Sequence, residues 1–554
     1  MNILKKIGMF VLKAIGVFFE LFFALLMVLF LYIVFVAHIS PPDVPDIEVG
    51  ERVKMGKDHY TLGPNWLKKN DHGIWEMYIE GDDYERGLIY GKLAKELCQD
   101  QERIFVNQIN DFVPNPFLQR FLQLFIGYFN SDLPDHIPLE NQREIYGISQ
   151  IFSDEFDYIG PKYTRHLNYH AAHDIGHALN DYSIVGCTSF ALRGDKTDDG
   201  NLLVGRNFDF YVGDEFAKNK LVLFMKPNKG YAFVSYSWAG FTGVVSGLNE
   251  KGLSVTINAS KSDLPTGAKT PISILTRIIL QYASTLNKAI EIAKKYDTFV
   301  SETIMISSKI DGRTILIEKS PTKMGIFDPK SNNQIVCSNH YQSVGFKNDR
   351  INRSNIGESD SKYRYDRVIE LLAKKGKVDV NEAAEILRDQ NGGYLDTLGM
   401  GNPNAVNQLI AHHSVVIQPD ELIFYVSTND YQLGEFIGYD LNEVFNKELE
   451  TTHLKIGADP FLYSKEYKMF KDFKKIKHKI FRYLNFDESF NLSSSQVEGF
   501  IQLNSESYIT YEMLARYYKK KNNKKLVGKY VDVALTKMIA SVKTREELIK
   551  LKSN

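Results

Sequence analysis

A thiol at Cys187, a guanidinium at Arg206 and a carboxylate at Asp209 fall close together in this chain, with Gly186 directly before the cysteine. Those three groups are enough for acyl transfer. If the Gly186–Cys187 bond breaks, Cys187 gains a free α-amine beside its own thiol. An α-amine titrates near about 7.7–8.0 and a thiol near about 8.5, so at neutral pH the amine can take the thiol proton. The thiolate left behind is a nucleophile. Arg206 carries a permanent charge that can hold the thiolate or a substrate, and Asp209 can orient the new amine through a charge-assisted hydrogen bond. The residues therefore read as a self-processing cysteine amidase. Asn258 and Asn339 are candidate neutral donors to an oxyanion, a contribution typically worth about 10²–10³ in rate. An asparagine at a strand end is also an ordinary turn former.

The elements that must position these groups begin with a hairpin. A strand runs from Thr188 to Arg193, turns over Asp195 to Gly200, and returns carrying Arg206 and Asp209. Residues three apart on an ideal strand face opposite sides. Both can serve one site only if the strand ends or bulges at Asn207-Phe208. Further strands are predicted over 220–225, 231–238, 253–258, 302–307, 314–318, 334–338, 414–418 and 422–427. Helices are predicted over 272–293 and 361–374, and residues 60–185 are mostly helical in pattern. Many antiparallel strands flanked by helices imply an α+β fold of two stacked sheets between helical layers. Residues 446–554 read as a separate helical extension, with a Lys-rich stretch over 465–482 and a helix pair over 511–540.

Composition narrows the partners. Lys+Arg 67 against Asp+Glu 68 leaves a net charge of -1, which gives no electrostatic case for nucleic acid. Three cysteines, Cys98, Cys187 and Cys337, do not make a disulfide framework. Ile15 to Ala37 is almost wholly apolar, with Glu20 its only charge and Lys5, Lys6 and Lys13 before it. About 20 apolar residues cross a bilayer, and basic residues favour the cytoplasmic side. The expectation is a single-pass anchor with the body outside the cytoplasm; a cleaved signal segment is the alternative. Pro41-Pro42-Asp43-Val44-Pro45 reads as an extended spacer.

Five motifs then occur in order: Gly186-Cys187-Thr188-Ser189-Phe190, Gly205 to Phe210, Gly247 to Leu253, Ser338-Asn339-His340, and Tyr363 to Arg367. With Val415 to Asp420 and Phe424 to Ser427, they resemble the acyl-coenzyme A:6-aminopenicillanic acid acyltransferase family. They are similar also to its relatives, the choloylglycine hydrolases and penicillin V acylases. Gly81 to Gly87 resembles the acyltransferase side. The resemblance implies a four-layer αββα N-terminal nucleophile hydrolase sandwich, made as a zymogen and cut before Cys187, with both fragments staying associated. Cys187 then matches the nucleophile and base, Arg206 the arginine of the bile salt hydrolases, and Asp209 the carboxylate that holds the α-amine. Asn258 matches the oxyanion asparagine, Asn339 a second active-site asparagine, and Arg364, or alternatively Arg367, the late catalytic arginine. No cofactor is implied, and the substrate would be a small acyl amide: an N-acyl amino acid, a lipid amide or a bile-acid conjugate. Hydrolysis and acyl transfer both stay open.

The domains expected are a cytoplasmic stub and anchor over 1–38, a linker over 39–74, a helical pro-segment over 75–186, the catalytic domain over 187–445 and the extension over 446–554. Two rival readings remain. His170, His173 and His177 share a helical face and could ligate a metal in a membrane-anchored hydrolase. The fold could also serve binding without catalysis.

Overall fold

The computed structural model describes residues 2–35, 39–179, 186–263, 267–329, 332–393, 396–446, 454–486 and 488–553. Within the first helix it describes the side chains of residues 13, 15–28, 30 and 31, and of 172–179 it describes the backbone alone.

Two sheets form the centre. Among the described residues the larger has eleven strands and the smaller seven. Strands such as Thr188–Leu192, Leu203–Phe208, Phe233–Trp238 and Leu253–Ala259 are buried at every position. That pattern requires cover on both faces. Alternation along each strand supplies it. From the larger sheet, Val222, Phe224, Val234 and Tyr236 meet Ala191, Val204, Val415, Ile417 and Phe424 of the smaller. The intervening Leu221, Leu223 and Met225 turn the other way, onto Ile89, Leu93, Ile145, Ile148 and Leu275 of the helices behind. On the far side, Phe190, Leu192, Leu203 and Val416 pack on Val368, Leu372 and Ile386. The order of layers is helix, sheet, sheet, helix, as expected.

The larger sheet mixes chain from both sides of Gly186–Cys187. Val53–Gly56, His59–Leu62, Asn65–Lys69 and Trp75–Gly81 form a meander at its edge. Trp75–Gly81 then pairs in parallel with Lys220–Pro227. Three of these strands lie inside the stretch 39–74 expected as a linker. Behind them, the helices Asp83–Leu93 and Leu139–Ser149 touch at glycines: a Cβ on Gly87 would sit 2.2 Å from the Glu144 carbonyl oxygen, and one on Gly147 would sit 2.7 Å from Leu88 N. The Gly87 of the upstream motif is thus a helix-crossing residue.

The predicted 272–293 helix is two, Ile272–Tyr282 and Leu286–Lys295. Thr285 makes the break by capping the second helix through its hydroxyl, which accepts from Lys288 N. The C-terminal helices Lys465–Asn485, Ser494–Leu503, Tyr508–Lys520, Lys524–Thr536 and Val542–Ser553 share a core of their own built on Phe473, Phe500, Leu514 and Val531.

The membrane crossing needs correction. The first helix is there, Asn2–Phe35, and Phe18, Phe19, Leu21, Phe23 and Leu25 on it are exposed. Among the described residues, however, no helix is long and apolar enough to cross a membrane.

Candidate active site

The hairpin forms as expected, with Thr188 opposite Asn207 and Ser189 opposite Arg206. Gly205 is a glycine because a Cβ there would lie 2.5 Å from the Phe190 ring. The return strand ends at Phe208, and the next residues turn sharply, Phe210 N–H donating to Phe208 C=O at 3.1 Å. This is the irregular strand end that the three-residue spacing of Arg206 and Asp209 demands.

Cys187 is 1% exposed. Burial pushes its thiol up to about 11, against the opposing pull of Arg206. One Arg206 nitrogen lies 3.8 Å from Sγ and 2.6 Å from the Ile257 carbonyl; the other donates to Ser246 Oγ at 2.8 Å. The guanidinium also stacks 4.2 Å from the Phe208 ring centre. Ser246 Oγ, which accepts from Arg206, also shares a hydrogen bond with His413 Nε2 at 3.0 Å. His413 Nδ1 shares a hydrogen bond with His412 Nδ1 at 2.9 Å. Burial holds both imidazoles well below their ordinary range, hence neutral. The His412-His413 pair therefore buttresses Arg206.

On the other side stands the Gly186–Cys187 peptide. Arg364 donates from one nitrogen to Gly186 O at 2.6 Å, Cys187 O at 3.1 Å and Thr188 Oγ1 at 3.1 Å. Its second nitrogen donates to Asn339 Oδ1 at 2.7 Å. Arg367 faces elsewhere, paired with Asp389 at 2.9 and 3.0 Å. Of the two arginines, only Arg364 reaches the site. Asn339 donates to Ala259 O at 2.9 Å, and Asn258 accepts from Ser189 Oγ at 2.9 Å while donating to Cys337 O at 3.2 Å. All six expected side chains thus gather at the open end of the hairpin.

Asp209 is fully buried, and burial lifts its carboxyl to about 7 against the pull of Arg364 and Arg206. Its Oδ2 accepts from Gln408 Nε2 at 3.2 Å, and its Oδ1 has no hydrogen-bond partner among the described residues. Its backbone carbonyl accepts from Gly186 N at 3.1 Å. Gln408 also donates to Gly186 O at 2.6 Å. Neither Gln408 nor Ser246 is read from the sequence as a site residue. The available signal was a run of amides, Asn402, Asn404, Asn407 and Gln408, between predicted strands; all four are buried.

Beside the site, a cavity of about 50 Å³ opens among Phe105, Phe152, Phe210, Phe216, Trp238 and Phe241, with His166 and Glu102 in its wall. Phe210 links it to Asp209, the residue before it, and stacks on Trp238 at 6.1 Å.

The metal reading finds no support here. Thr242 N donates to His170 Nε2 at 3.1 Å, so Nδ1 carries the proton and gives it to His166 O at 2.9 Å. The side chains of His173 and His177 lie outside the described residues. Among the described residues no group of three or more His, Cys, Asp or Glu is placed to hold a metal ion. Cys98, Cys187 and Cys337 are all free thiols.

A four-layer αββα sandwich with a buried cysteine opening one strand of its smaller sheet is thus the class of protein that the fold and site define. Residues 195–427 match the family acyl-coenzyme A:6-aminopenicillanic acid acyl-transferase. The resemblance seen in the motifs is shown over that stretch. An uncharacterized protein of Archaeoglobus fulgidus is 26% identical over 237 residues, covering 40% of this chain and 39% of its own length. Among solved structures, the Caenorhabditis elegans N-acylethanolamine-hydrolyzing acid amidase ortholog is 17% identical, covering 42% of this chain and 93% of its own, with a TM-score of 0.31. A mutant of conjugated bile acid hydrolase from Clostridium perfringens is 18% identical, with 46% and 93% coverage and a TM-score of 0.32. Penicillin V acylase from Agrobacterium tumefaciens is 15% identical, with 49% and 100% coverage and a TM-score of 0.32.

Proposed function

We propose that this chain is a self-processing cysteine N-terminal nucleophile amidase or acyltransferase acting on a linear acyl amide. The observation that carries the reading is the placement of the intact Gly186–Cys187 peptide. Its carbonyl oxygen receives two donors at 2.6 Å, while the Cys187 thiol lies beside the buried guanidinium of Arg206. After cleavage the α-amine of Cys187 is the general base and Asp209 its anchor. Asn258 and Asn339, strand-end amides at the same place, are the proposed donors to the substrate oxyanion, and Arg206 holds the thiolate. The aromatic lining of the small cavity next to Phe210 suits an apolar group of the substrate.

A membrane location remains part of the proposal, on the apolar stretch Ile15–Ala37 and the exposed side chains of the first helix. Carbonate washing of membranes from cells making the full chain tests it.

The function is tested on a denaturing gel. Purified protein should give two bands near about one-third and two-thirds of its 63.4 kDa, with Cys187 at the new N-terminus, and Cys187→Ala should give one. A panel of N-acyl amides should be turned over by processed protein and by none of the Cys187→Ala protein. An intact chain that is fully active overturns the reading.

A further inference from the structure

We infer that Gln408 is a catalytic residue of the self-cleavage step, the partner of Arg364 in receiving the oxyanion that forms at Gly186; the inference rests on the self-processing reading above.

In that step Cys187 Sγ bonds to the Gly186 carbonyl carbon and the carbonyl electron pair moves onto oxygen. Collapse of the tetrahedral centre breaks the Gly186–Cys187 C–N bond. The thiol proton ends on the departing nitrogen, giving a thioester and a free α-amine. Water then hydrolyses the thioester to the Gly186 carboxylate and the regenerated thiol. Charge develops on Gly186 O, and stabilisation at such an oxygen comes from donors already in place. The structure shows two side-chain donors there, Arg364 at 2.6 Å and Gln408 at 2.6 Å. Asn258 and Asn339 donate elsewhere, to carbonyls of Cys337 and Ala259.

Three further observations place Gln408 at this task. A Cβ on Gly186 would lie 2.4 Å from Gln408 Nε2, so the amide end packs directly against the scissile residue. Leu409, the residue after Gln408, is left-handed at φ 52. A non-glycine residue in that region is strained and persists only where its surroundings over-determine it. Finally, Gln408 Nε2 also reaches Asp209 Oδ2 at 3.2 Å. The same amide therefore joins the scissile carbonyl to the carboxylate proposed to hold the amine once it is released.

The test follows self-cleavage of the full chain by intact mass, in wild type, Gln408→Leu and Gln408→Glu, with melting temperature measured on each in a Cys187→Ala background. Gln408→Leu should slow cleavage by about 10²-fold, the effect of one lost oxyanion donor. Gln408→Glu should be slow at neutral pH and recover relative to Gln408→Leu as pH falls, because a carboxylic acid O–H replaces the lost amide N–H. A residue that merely packs would not produce that recovery. Gly186→Ala should slow wild type yet add little in a Gln408→Ala background, since the two groups compete for one space. Cleavage of Gln408→Leu at the wild-type rate, or a Gln408→Glu profile parallel to Gln408→Leu, overturns this inference and leaves self-processing standing. Failure of wild type to cleave overturns the reading beneath it.

Discussion

Two clusters in this molecule each set two buried arginines around a buried carboxylate, and they use them in opposite ways. In the first, Glu144 accepts from Arg86 at 2.7 and 3.1 Å and from Arg277 at 3.3 Å on each oxygen. Burial alone would raise the Glu144 carboxyl, but the two guanidiniums overrule it and hold it below its ordinary range. In the second, Arg206 and Arg364 flank Asp209 without an ion pair to it: one points at the Cys187 thiol, the other at the Gly186 carbonyl. Burial wins there, and the Asp209 carboxyl rises to about 7. Similar ingredients thus give a saturated staple in one place and unspent charge in the other. The difference is where the arginines are aimed.

Under the proposed cleavage, the staple would join the two fragments. Arg86 and Glu144 lie before the Gly186–Cys187 bond and Arg277 after it. Removing one partner of a buried pair leaves uncompensated charge and costs about 3–5 kcal/mol. Glu144→Ala, leaving two, should therefore show the largest effect of all: a strongly lowered melting temperature and loss of the upstream fragment from processed protein on gel filtration. Asp209→Asn, at an equally buried position, should leave the fold intact while blocking turnover. A stable Glu144→Ala protein would break the comparison, because the first cluster would then not be structural.

The pH dependence separates the clusters by sign. A carboxyl whose folded value is raised binds its proton more tightly in the native state, so stability is full below the unfolded value near about 4 and is lost as pH rises through about 7. In the unprocessed Cys187→Ala chain, adding Asp209→Asn should therefore change nothing at pH 4 and should stabilise increasingly up to pH 8. The gain is on the order of a few kcal/mol. Glu144 runs the other way: its contribution is present above the ordinary carboxyl value and is lost as pH falls through its lowered one. Melting curves of Glu144→Gln against its parent over acid pH check this. Matching slopes for the two sites would show that Asp209 is also paired in solution.

What was legible in the sequence follows the same division between local and distant causes. Cys187, Arg206 and Asp209 sit on one hairpin, whose turn and glycine could be read directly. Asn258 and Asn339 are strand ends, and strand ends follow from alternation and turn residues. Arg364 came only through the resemblance, since a helical arginine otherwise reads as surface. Gln408 was hidden: its contact with Gly186 spans 222 residues, and a glutamine announces no chemistry. The strands over 53–69 were missed because they are short and half exposed, with Lys54, Lys68 and Lys69 masking any alternation. The helix break at Thr285 is a single side-chain cap, too small to disturb a periodic pattern.

The smallest effect expected concerns what keeps the second cluster open. Gln408 belongs to a loop that the C-terminal helices grip. Asn504 accepts from Met400 N at 3.0 Å and returns a bond to Met400 O at 2.8 Å, as a neighbouring strand would. Leu409 is buried in the core of those same helices. Hydrogen bonds of this kind each contribute about 1 kcal/mol net. Asn504→Ala loses both, yet Leu409 still anchors the loop, so self-cleavage should slow only severalfold, with Asn504→Asp in between because it keeps the acceptor. Time courses of the two fragments give the rates. If both variants cleave at the wild-type rate while melting earlier, the C-terminal helices stabilise the fold without aiming Gln408, and the arginines and Asp209 alone account for the open cluster.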